Sequence, residues 1–469
     1  MNLTSQESIS MKQSVPMQRF RSARHARRAR PIAVAASVVA ALSLGGVAAG
    51  QADVPSLFVA NNGNLEGSVT SFAIDPVTGQ PNFVDRILTS DNDDDPGTNA
   101  NAISLSPNGK WLAIGHAAGG TSPVRQLTII EVAPDGTLSI EGEFSTPATP
   151  LDVQWIDDEY LVATVSDLSV TNRVIAYRFA PASGGFMASL NEVGSSNTGS
   201  FTTSLEKHPT ERILYAGDSL GNNVIYVIDA DQTGFLTSRG QVATGLFPID
   251  PVVSPAADYL YSFSGISGGG ESIQGFRLDA NFIPAELPGS PFITPGASPN
   301  AGVFSEDGSL LFVSHGTDAT VRSFAVDGET GELTSTGATF DVGLQGTVAQ
   351  MGVFNDVLYV LDDSNAIDRE SGVISLKFAP DGSLTQLGGR ANTQGVTPTG
   401  LAVWPGVAQP CPGDATGDGL VNADDLLVVL GNFGSAVAGG VGDGDFDDSG
   451  VVNADDLLVV LGAFGTTCP

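Results

Sequence analysis

Cysteine and cationic side chains are scarce in this chain of 469 residues. It contains two cysteines, and its 20 Lys and Arg are outnumbered by 52 Asp and Glu, for a formal net charge of −32. Two cysteines exclude a disulfide-dense scaffold. A strongly anionic surface repels phosphate backbones and anionic lipids but attracts metal cations. We therefore expect no nucleic-acid partner.

An apolar run of bilayer length is also missing, because residues 32–44 are too few to span a membrane comfortably. This run follows a basic stretch and precedes small residues, which predicts a secretory signal peptide over residues 1–52 and no membrane insertion after cleavage. Cleavage leaves 13 basic and 51 acidic side chains, a net charge of −38. The pattern indicates a secreted, cell-surface or periplasmic protein, without specifying the export route.

Helical periodicity is absent over long stretches of residues 53–406, which are rich in Gly, Ser, Thr and Val. A pattern of two consecutive strand-like segments recurs at intervals of about fifty residues. An interval of this length is enough for a four-stranded sheet. The first segment of the pattern reads LFVANN, WLAIGH, YLVATV, ILYAGD, YLYSFS, LLFVSH and VLYVLD. A lone strand at 399–404 would complete the first unit and remove the open edge. The sequence predicts a mainly β fold, a seven-bladed β-propeller over residues 53–406.

Two sequence segments are each followed by a strand and by a turn that contains Asp or Pro. They are SPNGKWLAI, which begins at Ser106, and SEDGSLLFVSH, which begins at Ser305. They resemble the seven-bladed lactonase-type propeller family, which includes 6-phosphogluconolactonase-like and muconate-cyclase-like proteins. Enzymes of that family carry two histidines, an Arg-His pair and a glutamate. The matching positions here are Asn99, Asn101, Thr203, Ser204 and Ser219, while His208 matches a structural histidine. Because none of these substitutes titrates near neutral pH, we assign no catalytic residue and favour a non-catalytic propeller.

Polar residues near the starts of the innermost strands predict a funnel for a neutral or cationic ligand. They are Asn99, Asn101, Asp152, Asp250, Asn300 and Gln350. His116 and His315 end equivalent strands in nearly opposite blades, so we interpret them as caps of turns, not as ligands of one metal. The acidic run 91–97 matches no known calcium loop and is interpreted as a solvated turn.

Two twelve-residue patterns near the C-terminus match the spacing of EF-hand calcium loops. Their ligand positions are Asp414, Thr416, Asp418, Leu420, Asn422 and Asp425, and then Asp445, Asp447, Ser449, Val451, Asn453 and Asp456. Oxygen donors without His or Cys favour Ca²⁺ over zinc or copper, and the sequence predicts two bound ions. The last ligand of each loop is Asp, where an EF-hand has Glu.

An apolar repeat follows each loop, with Leu426, Val429, Leu430 and Phe433 at the spacing of one helix face. A duplicated loop and helix within residues 411–469 resembles the type I dockerin domain. We predict a small α-helical calcium-binding domain there, after a linker at 407–410. Cys411 and Cys468 flank the segment, and in an exported protein such a pair predicts a disulfide.

The resemblance implies that a partner contacts two identical pairs, Ala423-Asp424 and Ala454-Asp455, in either of two orientations. Dockerins of cellulose-degrading assemblies often have Ser-Thr there, so the partner is a cohesin-like or other surface protein of different specificity. The alternative is a calcium-stabilised cap without a partner.

The sequence thus favours an exported calcium-binding protein whose propeller binds a ligand or partner and whose tail mediates docking. Two alternatives remain open: a secreted lactonase-like hydrolase acting on lactones or carboxylic esters, and a structural or adhesive surface protein.

Overall fold

The computed structural model describes the chain from residue 54 to residue 466, with gaps. The described ranges are 54–63, 66–90, 99–116, 126–166, 173–199, 201–219, 222–245, 247–264, 272–343, 348–363, 371–406, 413–416, 420–437, 441–446 and 449–466. The predicted signal peptide, the acidic run 91–97, the linker 407–410 and both cysteines lie outside the described residues.

Thirty strands and two short α-helices make up the described structure. The strands are β1 Ser56–Gly63, β2 Glu66–Ile74, β3 Pro81–Leu88, β4 Ala100–Leu105, β5 Trp111–His116, β6 Gln126–Val132, β7 Leu138–Ser145, β8 Thr149–Trp155, β9 Tyr160–Ser166, β10 Arg173–Ala180, β11 Ser189–Asn197, β12 Thr202–Lys207, β13 Ile213–Asp218, β14 Val224–Ala230, β15 Leu236–Ala243, β16 Pro248–Val253, β17 Tyr259–Ser264, β18 Ser272–Leu278, β19 Pro284–Glu286, β20 Phe292–Ile293, β21 Pro299–Phe304, β22 Leu310–His315, β23 Thr320–Val326, β24 Leu333–Asp341, β25 Val348–Phe354, β26 Val357–Asp362, β27 Gly372–Phe378, β28 Leu384–Gln386, β29 Ala391–Asn392 and β30 Pro398–Trp404. The helices are α1 Ala423–Asn432 and α2 Ala454–Ala463.

The strands form seven antiparallel sheets, the blades of a propeller, and the predicted β architecture is confirmed. Blade one is β30-β1-β2-β3, and blades two to seven begin at their innermost strands β4, β8, β12, β16, β21 and β25. Strand β30 pairs with β1 from Ser56 opposite Trp404 to Asn61 opposite Pro398, so the ring closes at the predicted place.

The second strand of each blade is buried on both faces, because neighbouring blades pack against it. This is why β5, β13, β17, β22 and β26 have continuous apolar runs instead of alternation. Each of these strands ends on a buried polar residue. In blades two and six it is a histidine whose Nε2 hydrogen-bonds a threonine hydroxyl, His116 to Thr128 at 2.9 Å and His315 to Thr294 at 2.6 Å. These histidines therefore have hydrogen-bond partners among neighbouring side chains, and their role as caps of turns stays a prediction.

The C-terminal segment contains α1 and α2, which pack around Val421, Val429, Val452 and Val460. Each helix begins with a capping box: Asn422 and Asn453 are the N-caps, and Asp425 and Asp456 complete the boxes. The expected apolar face of α1 was partly wrong, since Leu430 and Phe433 are 51% and 49% exposed. The buried side of α1 carries Asp425 and Val429. The carboxylate of Asp425 turns inward to complete the capping box, and Val429 lies one turn later on the same side of the helix.

No helix among the described residues is both long and apolar enough to cross a membrane.

Candidate active site in the central cavity

The innermost strand of every blade contains a register shift at one point. At each shift the strand leaves one or two residues unpaired, and such bulges re-aim side chains. Seven of the unpaired residues, one per blade, are Asn101, Leu151, Thr203, Asp250, Asn300, Gln350 and Thr399. All seven line one central cavity of about 350 Å³. The bulges therefore build the cavity wall.

Five of the six residues predicted for the funnel line this cavity: Asn101, Asp152, Asp250, Asn300 and Gln350. The sixth, Asn99, is not among the lining residues. It precedes β4 in a left-handed conformation with φ 53°, and its backbone N–H donates to the carbonyl of Gly63 at 3.1 Å. Whether the five residues bind a ligand stays a prediction.

Hydrogen bonds from the next blade hold three of these side chains in place. Asp152 Oδ2 accepts the N–H of Leu205 at 2.7 Å, and Asp250 Oδ2 accepts the N–H of Gly302 at 3.0 Å. Gln350 Oε1 accepts the N–H of Leu401 at 2.6 Å. Each contact joins two blades and fixes a polar group at the cavity wall, so the site is preorganised.

The carboxyl groups of Asp152, Asp250 and Glu206 are shifted toward their protonated forms. Burial raises the pKa of Asp152 to about 7, that of Asp250 to about 6 and that of Glu206 to about 8, in spite of hydrogen bonds from backbone N–H groups. Asp152 and Asp250 also raise the pKa of Glu206 by like-charge repulsion. The sequence analysis missed Glu206, since Leu-Glu-Lys-His resembles an exposed charged strand. A signal was available, because Glu206 lies in an innermost strand.

The wall opposite the carboxyl groups carries neutral amides. Asn101 Nδ2 donates to the carbonyl of Leu151 at 3.4 Å, and Asn300 Nδ2 donates to the carbonyl of Val348 at 3.0 Å. With its oxygen held by Leu401, Gln350 keeps its amide N–H groups for other acceptors. The cavity thus combines groups that can take up a proton with groups that can donate hydrogen bonds.

The positions that match the family's catalytic residues hold neutral side chains. Thr203 and Ser204 line the cavity, together with Asn101. Ser219 is buried, shares a hydrogen bond with the Thr203 hydroxyl at 2.5 Å and donates to the carbonyl of Pro248 at 2.8 Å. Any acid–base group in this cavity therefore comes from the neighbouring carboxyl residues.

The two predicted calcium loops each place two carboxylates in the interior. Asp414 and Asp425 of the first loop are 7% and 0% exposed, and Asp445 and Asp456 of the second are 1% and 0% exposed. Asp425 Oδ1 accepts the N–H of Thr416 at 2.9 Å, and its Oδ2 accepts the N–H of Asn422 at 2.8 Å. The equivalent Asp456 accepts the N–H groups of Phe446 and Asn453 at 2.7 and 2.8 Å.

The donor set of these loops fits a hard cation. Four carboxylates face inward, and residues 411–469 contain ten Asp but neither Lys nor Arg. Asp418 and Asp447, the third carboxylate of each loop, lie outside the described residues. Across the part of the chain that is described, no group of three or more His, Cys, Asp or Glu is arranged to hold a metal. The two ions therefore stay a prediction.

The predicted docking pairs are accessible. Ala423, Asp424, Ala454 and Asp455 are all exposed in the first turns of α1 and α2. Beside them each helix presents two leucines, with Leu427 and Leu458 64% exposed and Leu430 and Leu461 51% exposed.

The fold is similar to those of solved propeller proteins at low sequence identity. The Pseudomonas aeruginosa periplasmic gluconolactonase matches with 18% identity and a TM-score of 0.58, over 74% of this chain and 98% of its own. A candidate 6-phosphogluconolactonase from Bacteroides uniformis matches with 13% identity and a TM-score of 0.59, over 75% of this chain and all of its own. No family model and no curated protein matches the chain. Identities this low establish the propeller fold alone.

Proposed function

We propose that the propeller is an exported lactonase-like hydrolase, which was an alternative in the sequence analysis, and that its reaction takes place in the central cavity. The observation that carries this proposal is the position of Asp152, a carboxyl group at the cavity wall whose pKa burial raises to about 7. The sequence analysis favoured a non-catalytic propeller because the substituted family positions cannot act as bases. Asp152 lies outside those positions and can act as one.

In the proposed reaction, ionised Asp152 takes a proton from water as the water oxygen attacks the lactone carbonyl. The carbonyl oxygen becomes negative, and amide N–H groups such as those of Gln350 lie on the opposite wall to stabilise it. The ring C–O bond then breaks, and the leaving oxygen takes the proton back from Asp152. The product is an open-chain hydroxy acid, and Asp152 is ionised again.

The similar solved structures support this substrate class only through the names of their proteins. One is called a gluconolactonase and another a candidate 6-phosphogluconolactonase. No Lys, Arg or His is among the described residues that line the cavity. A phosphorylated substrate would meet carboxyl groups without a counter-charge, so an unphosphorylated lactone fits the wall better.

Turnover of D-glucono-1,5-lactone by the full chain, corrected for spontaneous hydrolysis, tests the proposal. We expect the rate to rise with pH through about 7, as Asp152 ionises. Asp152→Asn should lower kcat by about 100-fold or more. Asp135→Asn is the matched control, since Asp135 is an exposed turn residue that hydrogen-bonds Thr137. Turnover no faster than background, or equal turnover in Asp152→Asn, would refute the proposal.

A second candidate function is supported by the inward carboxylates of the tail. We propose that residues 411–469 bind two Ca²⁺ and dock a cohesin-like or other surface protein, outside the cytoplasm. In each loop the oxygen donors named above would hold the ion, which would neutralise part of the buried negative charge.

Calorimetry of the full chain with Ca²⁺ and with chelator tests this second function. We expect a calcium-dependent transition of the tail and an unchanged transition of the propeller. Asp414→Ala and Asp445→Ala should each remove one equivalent of calcium uptake. Uptake below one ion per chain in the unsubstituted protein would contradict the proposal.

A further inference from the structure

The charge of the central cavity is confined to one side. The carboxyl residues Asp152 and Asp250 come from blades three and five, and Glu206 lies between them in blade four. The lining residues of blades six, seven, one and two include the neutral Asn300, Gln350, Thr399 and Asn101. A ligand in this cavity therefore meets an acidic wall and an amide wall.

Asp250 is held in an unfavourable backbone conformation at one end of the acidic wall. Its φ of 45° lies in the left-handed region, which costs a non-glycine residue about 1 kcal/mol or more. Its Oδ2 accepts the N–H of Gly302, and its Oδ1 has no hydrogen-bond partner among the described residues. The conformation thus leaves one carboxylate oxygen for a ligand.

A second acceptor in the same cavity also lacks a partner. Ser204 in blade four lines the cavity and is only 7% exposed, yet its Oγ makes no hydrogen bond within the described structure. A buried hydroxyl without a partner is costly, so such groups usually mark a site for water or a ligand. Ser204 and Asp250 thus lie in adjacent blades and line the same cavity.

A protonated amine matches this pair better than other ligand groups. An ammonium group supplies three N–H donors and a positive charge, and it has no acceptor to satisfy. Negative charge on Asp152 in the same wall, when that residue is ionised, adds to its attraction. A metal ion is less suited, because no described group of three acidic or His side chains is arranged around one point.

We propose that Asp250 and Ser204 bind a protonated amine of the substrate, so that the cavity selects an amino-bearing polyhydroxy lactone. This inference rests on the proposed hydrolase function, because it names the substrate of the same cavity. Asp250 is a specificity-determining residue and Asp152 is the base.

Calorimetric binding of three probes at pH 7, where the amine is mostly protonated and Asp250 is ionised, tests the inference: D-glucosamine, D-glucose and D-gluconate. We expect D-glucosamine to bind about tenfold tighter than D-glucose, and D-gluconate to bind more weakly than either. Asp250→Asn preserves the shape of the side chain but removes its charge. The ratio of the D-glucosamine affinity to the D-glucose affinity should therefore fall to about two or less. Ser204→Ala should lower it by about threefold, and the surface variant Asp135→Asn should leave it unchanged.

Equal binding of D-glucosamine and D-glucose, tighter binding of D-gluconate, or an unchanged ratio in Asp250→Asn would each overturn the inference. Matching thermal transitions of the variants exclude unfolding as the cause of a lost preference. Hydrolysis of the uncharged D-glucono-1,5-lactone is measured separately. A protein that hydrolyses it without preferring amines refutes only this inference, whereas one that prefers amines without hydrolysis refutes only the proposed function.

Discussion

Buried carboxyl groups occur in both the propeller and the tail, but their environments shift the pKa in opposite directions. Asp152 accepts two backbone N–H groups, from Leu205 and Val153, yet burial still raises its pKa to about 7. In Asp425, burial also acts to raise the pKa, but hydrogen bonds from Asn422 and from the backbone and hydroxyl of Thr416 outweigh it and lower the pKa. Hydrogen bonding decides whether a buried acid is ionised.

This difference separates two roles for the same functional group. In the tail, Asp425 and Asp456 fix the loops to the helices and are part of the fold. In the propeller, apolar clusters between neighbouring blades hold the ring together, so we do not expect the cavity acids to be needed for folding. We therefore expect their removal to harm activity and not stability, whereas the tail should respond in the opposite way.

The largest expected effect is on the tail. Asp425→Ala removes the acceptor of several backbone and hydroxyl donors and should destabilise the tail by about 3 kcal/mol, since hydrogen bonds to charged groups are strong. Hydrogen exchange of the α1 amides measures this loss. The neighbouring Asp424→Ala is the control, because Asp424 is exposed. Similar protection in both variants would mean that Asp425 has no structural role.

A smaller effect separates the two faces of α1. Val429 is fully buried, and Val429→Ala should cost the tail about 2 kcal/mol. Leu430→Ala should cost about 0.5 kcal/mol or less, since Leu430 is half exposed. Chemical denaturation followed by a tail-specific probe measures both. If Leu430→Ala proves the more damaging, the exposed side of α1 is covered in solution.

In the propeller, Asp152→Asn should be stabilising at high pH. The folded-state pKa of Asp152, about 7, is above the unfolded value of 3.8, so its contribution is present at low pH and is lost as pH rises through 7. The variant lacks this loss, so its stability relative to the unsubstituted protein should be greater at pH 8 than at pH 4. Thermal unfolding at pH 4 and pH 8 compares them. A gain of equal size at both pH values would argue against a raised pKa.

The smallest expected effect involves His315. Burial lowers its pKa to about 4, and Arg322 adds to the shift, whereas the unfolded value is 6.5. Its contribution to stability is therefore present above about 6.5 and is lost as pH falls toward 4. His315→Gln should flatten this acid dependence, because glutamine does not titrate. An unchanged slope of Tm between pH 7 and pH 4 would assign the acid sensitivity to other groups.

Much of the fold follows from the sequence because the buried strands are continuous apolar runs with a polar end. The seven quoted phrases all lie in second strands, and 399–404 lies within the closing strand β30. The site was harder to predict. Which side chains face the cavity depends on the bulges, and a residue such as Asp250 with a positive φ breaks the alternation on which strand prediction relies. Asn99, which also has a positive φ, was misplaced for the same reason, whereas Glu206 was overlooked because Leu-Glu-Lys-His resembles an exposed charged strand.

Closing the ring with β30 also imposes an order on folding. The inner edge of β1 stays unpaired until Pro398–Trp404 has been synthesised, which takes roughly 20 to 70 seconds after β1 at common translation rates. During that interval six blades can form while the first presents an open strand edge to the surroundings, a template for wrong pairing with another chain. A chain interrupted before Pro398 would keep this edge permanently and would stay open to such wrong pairing.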